Sequence, residues 1–391
     1  MAAIDPVRRT AASLCHAALA GMGSSLRLGS RLAARLAGLA GGLLATGHAA
    51  AADLPEDRAD VMYHSYTGGG VTATGPAVLV RKSIDDAFSL SASYYVDAVS
   101  NASIDVVTTA SPYHERRTER AAGLDYVYHD ALISVAGSSS KEPDYTANSA
   151  SMDVAQDVFG GMTTVSLGYS RGWDTVGKHG YPTFSDSANH WQYRGGVTQI
   201  ITPRWLASAN VEVVSDEGYL GSPYRAARVF GAAVPESDPR TRSSRALALR
   251  AVGSVGADGA VRASYRYFWD TWDIRANTFE VGYSQYLQQQ RWLVDGYLRY
   301  YKQSHASFYS NNFTAQYTYM SRNRQLSTFD SVGLGVKGTY SALKVAARYE
   351  VKVNGALERL RFQYSDFTDI RTGKDYSFDA TVLELYVSAT F

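Results

Sequence analysis

The stretch Thr163-Thr164-Val165-Ser166-Leu167-Gly168-Tyr169-Ser170-Arg171-Gly172-Trp173 decides the fold. Its odd positions Val165, Leu167, Tyr169 and Trp173 are large and apolar, whereas Thr164, Ser166, Gly168 and Ser170 are small or polar. Successive side chains of a strand point to opposite faces, so this is a strand with one greasy face. The same alternation recurs along the chain. After the turn Thr202-Pro203-Arg204, Trp205, Ala207, Ala209, Val211 and Val213 alternate with Ser208, Asn210 and Glu212. Val261, Ala263, Tyr265, Tyr267 and Trp269 alternate with Arg262, Ser264 and Arg266, and Trp292, Val294, Gly296, Leu298 and Tyr300 with Asp295, Tyr297 and Arg299. Leu343, Val345, Ala347, Tyr349 and Val351 alternate with Lys344, Arg348, Glu350 and Lys352. Each segment is about ten residues long, which suits a tilted strand crossing a bilayer with lipid on one side and water on the other. A soluble β-sandwich also alternates, but here the second face mixes Gly, Ser and Thr with Arg, Lys and Glu at mid-strand.

Trp173, Trp205, Trp269, Trp292, Tyr300 and Tyr340 lie near segment ends on the greasy face, where amphipathic rings sit among headgroups as an aromatic girdle. The chain ends on a further alternating segment: Leu383, Leu385, Val387 and Ala389 are apolar, and Glu384, Tyr386, Ser388 and Thr390 lie between them. A terminal Phe391 on such a strand resembles the assembly signal of bacterial outer-membrane barrels, so barrel-assembly machinery and the bilayer are expected partners.

Composition narrows the class. Of 391 residues, 45% are hydrophobic and 19% charged, with 10 prolines and 34 glycines, which excludes a disordered chain, a collagen and a coiled coil. Tyrosines number 28 against 13 phenylalanines, a balance that suits a boundary between water and something greasy. Residues 1–52 read as a secretory signal. Arg27, Arg31 and Arg35 precede the apolar stretch 36–45, and the small-residue run 49–52 offers an Ala-x-Ala cleavage site before Asp53. Met22 would start a signal of ordinary length. Removing 1–52 leaves 33 basic and 36 acidic residues, a net charge of −3, which argues against a nucleic-acid partner. Removal also takes away Cys15, the one cysteine, and with it disulfides, iron–sulfur clusters, thiol catalysis and C-x-x-C-H haem attachment. No resident cofactor or metal is expected.

The fold expected is all-β: a transmembrane up-and-down antiparallel barrel of about 16–18 strands, with 53–391 as one domain. Strands are placed near 60–67, 72–83, 86–98, 115–129, 130–140, 147–159, 161–173, 188–201 and 203–215. Nine more fall near 241–255, 259–270, 274–288, 290–303, 311–321, 328–339, 342–353, 356–367 and 377–391. Short links such as Ile84-Asp85-Asp86 and Gly256-Ala257-Asp258-Gly259 would face the periplasm, and the long ones 99–114, 174–187 and 216–240 the outside. The outer membrane is the expected location.

On this alternation the inward face of the C-terminal half holds Arg250, Arg262, Arg266, Arg299, Lys344, Arg348, Lys352, Arg359 and Arg361 against Glu280, Asp295, Glu350 and Glu384. Such a mildly basic wall either favours anions or pairs with its own carboxylates as stiffening ladders; Arg299 with Asp295 and Arg348 with Glu350 are candidate pairs. Six histidines lie beyond residue 52, namely His64, His114, His129, His179, His190 and His305, and none has the spacing of a metal site. No catalytic residues are assigned. A barrel hydrolase would draw its groups from separate strands, with His190 and His179 as candidates. A surface receptor or adhesin would bind through 216–240. Lys141-Glu142-Pro143-Asp144-Tyr145 and Trp269-Asp270-Thr271-Trp272-Asp273 read as solvated loop tips that could also take calcium or a receptor.

Three fragments in order, 96–103 (Val96-Asp97-Ala98-Val99-Ser100-Asn101-Ala102-Ser103), 140–145 (Ser140-Lys141-Glu142-Pro143-Asp144-Tyr145) and 172–176 (Gly172-Trp173-Asp174-Thr175-Val176), resemble the outer-membrane family known as domain of unknown function three-five-seven-zero. The resemblance covers nearly all of 55–391. Where that family has Asp-Ser-Leu-Ser-Gly-Ala-Ser-Pro, this chain has Asp97-Ala98-Val99-Ser100-Asn101-Ala102-Ser103-Ile104. Membership implies a barrel, often encoded beside a periplasmic flavin transferase, a thioredoxin-like protein and a small lipoprotein. The expected function is therefore a non-catalytic pore, or a sleeve for a small periplasmic or lipoprotein redox partner.

Overall fold

A computed structural model describes residues 53–101, 103, 113–345 and 348–391. The expected leader 1–52, with Cys15 and Met22, lies outside the described residues, as does most of the loop 99–114. Strands β1 (Arg58–Gly68), β2 (Val71–Ile84), β3 (Phe88–Asn101), β4 (Tyr113–Tyr128), β5 (Ala131–Lys141), β6 (Tyr145–Val158), β7 (Thr163–Gly177), β8 (Ser185–Thr202) and β9 (Trp205–Gly218) run up and down in order. A small separate hairpin follows, β10 (Ala226–Val229) with β11 (Ala232–Pro235). The wall continues with β12 (Thr241–Val255), β13 (Gly259–Asp270), β14 (Arg275–Leu287), β15 (Trp292–Gln303), β16 (Phe329–Val345), β17 (Tyr349–Asp369) and β18 (Lys374–Thr390). Sixteen of these strands form one closed antiparallel barrel. β1 pairs with β18 from Arg58↔Thr390 to Gly68↔Ala380, so the wall has no open edge and its backbone groups are satisfied within it, as hydrocarbon demands. Among the described residues no helix is long and apolar enough to cross a membrane.

The two faces follow from the alternation. On β16, Val332, Leu334 and Val336 are exposed on the outside while Ser331 is buried on the inside. The start of β1, the end of β18 and the tight turns 84–88, 128–131, 158–163, 202–205, 255–259, 287–292 and 345–349 share one end of the barrel. The long connections 218–241 and 303–329 share the other. In barrels of this type short turns are periplasmic and long loops extracellular.

Two strand expectations are corrected. Residues 311–321 form no strand; they belong to the connection between β15 and β16. Nor do 342–353 and 356–367 stand as separate strands, because β16 runs on to Val345, the chain turns, and β17 continues unbroken from Tyr349. Below a register shift between Ser341 and Leu343, Leu343 pairs with Val351 and Val345 with Tyr349, so next to the turn both arms put odd residues on the lipid side and the alternation passes through the turn itself without a phase break. Asn354-Gly355, which reads like a turn, lies mid-strand, with Asn354 buried and Thr339 Oγ1 donating to its Oδ1 at 2.7 Å.

The girdle residues stand at two levels. Trp205, Trp292 and Tyr340 are at the turn end, with Trp292 and Tyr340 paired at 4.7 Å, and Trp173, Trp269 and Tyr300 are toward the loop end. Trp205 lies flat on Gly253, where an added Cβ would sit 2.4 Å from the indole. Phe391 closes the seam: its N–H donates to the Asp57 carbonyl at 3.2 Å and Lys82 Nζ lies 5.1 Å from its ring. Burial raises the Asp57 carboxyl pKa, but hydrogen bonds from Lys82 and Ser83 outweigh it and leave the group below its ordinary value.

Candidate functional site: the inner wall and the outer mouth

Arg250, Arg262, Arg266 and Arg299, with Glu280 and Asp295, stand on the inward parity of β12 to β15. Lys344, Glu350 and Lys352 stand on that parity at the turn end, with Lys352 Nζ 3.0 Å from Glu350. Glu384 faces inward on β18, opposite His64. Two of the expected lumen arginines are misplaced. On β17 the even residues Asn354, Glu358, Leu360 and Tyr364 are buried, and the odd residues Val353 and Leu357 face lipid. Arg359 and Arg361 are odd, exposed, and bridge to Asp379 on the outside at 2.8 and 3.1 Å. Charge is a poor marker of the lumen near an interface, where an outward arginine costs about 0–1 kcal/mol rather than the ~2–4 of the midplane. Arg348 is a third correction: it lies in the exposed turn before β17, not on the wall. There it lines a periplasmic cleft of about 650 Å³ with Asp53, Asp57, Lys344, Glu350 and Phe391.

The inward charges are paired by a rule that spacing in the sequence does not reveal. Arg262 on β13 reaches across Gly282 on β14 to Asp295 on β15, with a second contact from Nη2 at 2.8 Å. A Cβ at Gly282 would sit 2.4 Å from that guanidinium. Arg194 on β8 likewise reaches across Gly168 on β7 to Asp153 on β6, at 2.8 and 3.1 Å, and a Cβ at Gly168 would meet Asp153 at 2.2 Å. Gly282 and Gly168 are saddles that let an ion pair skip a strand. From Arg194 the chain of contacts continues to Gln192 (2.7 Å), Glu212 (3.0 Å) and Arg266 (3.4 Å). The expected pairing of Arg299 with Asp295 gives way to Arg262, because neighbours on one strand and one face point side by side while cross-strand partners face each other. The residues missed, Asp153, Arg194, Glu212 and Glu358, carry the same signal as those found: charge on the small-residue parity.

Toward the loop end, the opposite side of the interior is apolar. Tyr66, Val71, Ala73, Val99, Leu360, Ala380 and Val382 form one buried cluster across β1, β2, β3, β17 and β18. Against its upper edge folds the connection 304–328. Ala306, Phe308, Tyr309 and Leu326 pack on Trp272, Tyr364 and Phe367. Arg324 is fully buried, 5.2 Å from the Phe378 ring and 5.8 Å from Tyr376. Gln303 Nε2 donates to the Gln325 and Ser327 carbonyls at 2.9 and 2.8 Å, and the Thr328 N–H to Asp366 at 2.8 Å. Trp272 is thus buried under this loop, in contrast to the solvated tip expected for 269–273.

The connection 219–240 joins the same cap. Phe230 N–H donates to the Phe313 carbonyl at 2.9 Å and Met320 N–H to Ser237 at 2.9 Å, over a buried cluster of Ala227, Phe313 and Met320. Tyr224 donates to Asp144, and Arg240 grips Asp186 at 2.8 Å. Asp144 and Glu142 are buried, and with Glu115 their carboxylates gather within 4.8 Å, so 141–145 is no free loop tip either. Burial, with the neighbouring Glu236 carboxylate, pushes Asp238 well above its ordinary value, although Arg225 and Arg242 oppose this.

The hydrolase candidates do not converge. His190 Nδ1 lies 2.6 Å from Asp216 and Nε2 2.9 Å from Asp174, so a carboxylate occupies each ring nitrogen and neither is left to take a proton from a nucleophile. His179 is in an exposed loop, where its backbone N–H donates to Tyr224 at 2.5 Å.

A family model described as "Protein of unknown function (DUF3570)" matches residues 43–356. The chain belongs to that family. No curated protein matches it. Among solved structures, the DUF3570 barrel is similar to a bacterial polysaccharide outer membrane secretin, with 10% identity over 86% of this chain and 100% of that one and a TM-score of 0.50. It is also similar to the siderophore receptor PirA from Pseudomonas aeruginosa, at 10% identity and a TM-score of 0.43; the match covers 81% of this chain and 60% of the receptor. The outer membrane protein opdK from the same organism matches at 10% identity and a TM-score of 0.41, over 86% of this chain and 100% of that one. At these identities the likeness concerns the fold, that of an outer-membrane barrel in a lipid bilayer.

Proposed function

We propose that this DUF3570 barrel is a non-catalytic pore of the outer membrane, with a charged inner wall and an outer mouth narrowed by the connections 219–240 and 304–328. The observation that carries the reading is the packing of 304–328 onto the inner residues Tyr364, Phe367 and Phe378. Sixteen strands enclose a lumen wide enough for an aqueous channel, so a segment folded over its mouth sets what passes. The ion-pair belt from Asp153 to Arg266 leaves both signs of charge on the wall, which favours small polar solutes over bare hydrocarbon. Residues 1–52 are proposed to be a cleaved secretory signal, and Phe391 the signal read by the assembly machinery.

Reconstitution in planar bilayers tests the reading. Steady ion conductance that increases when 309–322 is replaced by a short Gly-Ser linker supports a pore. A bilayer that stays closed with either chain, and passes electrons once a small redox partner is added, would replace the pore with a sleeve.

A further inference from the structure

Along the lipid-facing parity the side chains change character toward the loop end. On β7 the run Val165, Leu167, Tyr169 gives way to Arg171; on β12 Leu249, Leu247 gives way to Arg245. On β14 Val281 and Phe279 lead toward Arg275, on β4 Leu124 and Ala122 to Arg120, and on β17 Leu357 to Arg359 and Arg361. All six arginines are exposed. At the turn end the same parity is closed by the rings of Trp205, Trp292 and Tyr340.

These arginines belong to strands, not to loop tips, and share their level with Trp173, Trp269 and Tyr300. That level is the boundary between acyl chains and headgroups. Arg171 lies 5.6 Å over the Trp191 ring and Arg120 5.9 Å over the Tyr94 ring, both outward rings. A guanidinium stacked on a ring is held flat against the wall with its N–H edge free to reach an acceptor. Such a planar fork matches a phosphate with two parallel hydrogen bonds. Asp379 already takes N–H groups of Arg359 and Arg361, so the sites most open to a ligand are Arg120, Arg171, Arg245 and Arg275. They stand on four strands spread around about half of the circumference, an arrangement for a row of lipids and not for one pocketed molecule.

We propose that this collar binds the phosphate groups of the phosphorylated glycolipid of the outer leaflet, lipid A, and so holds a row of it around the outer half of the barrel. The turn end, ringed by aromatics, is matched to uncharged interfacial contact instead.

The test uses the full barrel reconstituted with phosphatidylcholine plus lipid A, dephosphorylated lipid A or phosphatidylglycerol, with retained lipid counted by native mass spectrometry. Wild type should retain lipid A, and R120Q/R171Q/R245Q/R275Q should retain about tenfold less. The pairs R120Q/R171Q and R245Q/R275Q should each lose about half, which keeps the proposal testable if the quadruple variant does not fold. Arg204→Gln, in a periplasmic turn, should change nothing. The proposal is overturned if the folded variants keep wild-type amounts of lipid A, or if dephosphorylated lipid A is retained as well as the intact lipid. Equal retention of phosphatidylglycerol would also overturn it, since any anionic lipid would then serve.

Discussion

Toward the loop end, the barrel interior across β17, β18 and β1 is packed with Tyr66, Leu360, Phe362, Phe378 and Val382, whereas from β6 to β15 it carries Asp153, Arg194, Glu212, Arg266, Arg262 and Asp295. The first side has bound part of its own chain. Apolar surface facing a wet lumen is costly, and covering it with Phe308, Tyr309 and Leu326 removes that cost. The second side has no such demand, because its charges pair with one another and can stay hydrated. The difference teaches that the plug is placed by the wall: the connection folds where the wall is greasy and leaves the ionic side for water and solute.

The largest expected effect breaks this contrast outright. Replacing 309–322 with a Gly-Ser linker should raise single-channel conductance by about threefold or more, since a sixteen-strand lumen then has little folded over it; an unchanged conductance would mean that the cap does not limit flow. Phe367→Ala removes a fully buried ring beneath Arg322 and Tyr364. It should cost about 3–5 kcal/mol of local packing, seen as loss of hydrogen-exchange protection in 304–328 while the wall stays protected. On the ionic side, Arg262→Gln leaves Asp295 without its main partner and should move ion selectivity toward cations by about twofold, read from reversal potentials.

The smallest effect is pH dependence of the cap. Because the folded Asp238 carboxyl lies above its ordinary value, its contribution to the closed cap is complete at acidic pH. That contribution is lost as pH rises through the raised value. Conductance should therefore rise slightly with pH, and Asp238→Asn should give a channel without that slope. A slope of opposite sign would show that another group controls the mouth.

Much of the wall was legible because its signal is local. Lipid on one side and water on the other force a period of two, and that period marks Val165–Trp173 or Trp205–Val213 without any knowledge of neighbours. The same signal is blind to phase-preserving turns, so the hairpin between Val345 and Tyr349 reads as strand. It is blind also to segments such as 311–321, where Phe313, Tyr317 and Tyr319 alternate within a connection that pairs with nothing in the wall. Charge alone points Arg359 and Arg361 inward toward water, whereas an interface admits charge on the lipid side.

What the sequence alone determined is the class of structure: strands long enough to cross a bilayer, an aromatic boundary at each end, and a terminal strand able to close on the first. These are properties of single residues facing a single kind of solvent. Which charges meet, which glycine lies beneath a guanidinium, and where 304–328 comes to rest were decided in three dimensions. Partners such as Arg262 and Asp295 are two strands apart and became neighbours through register and closure of the sheet.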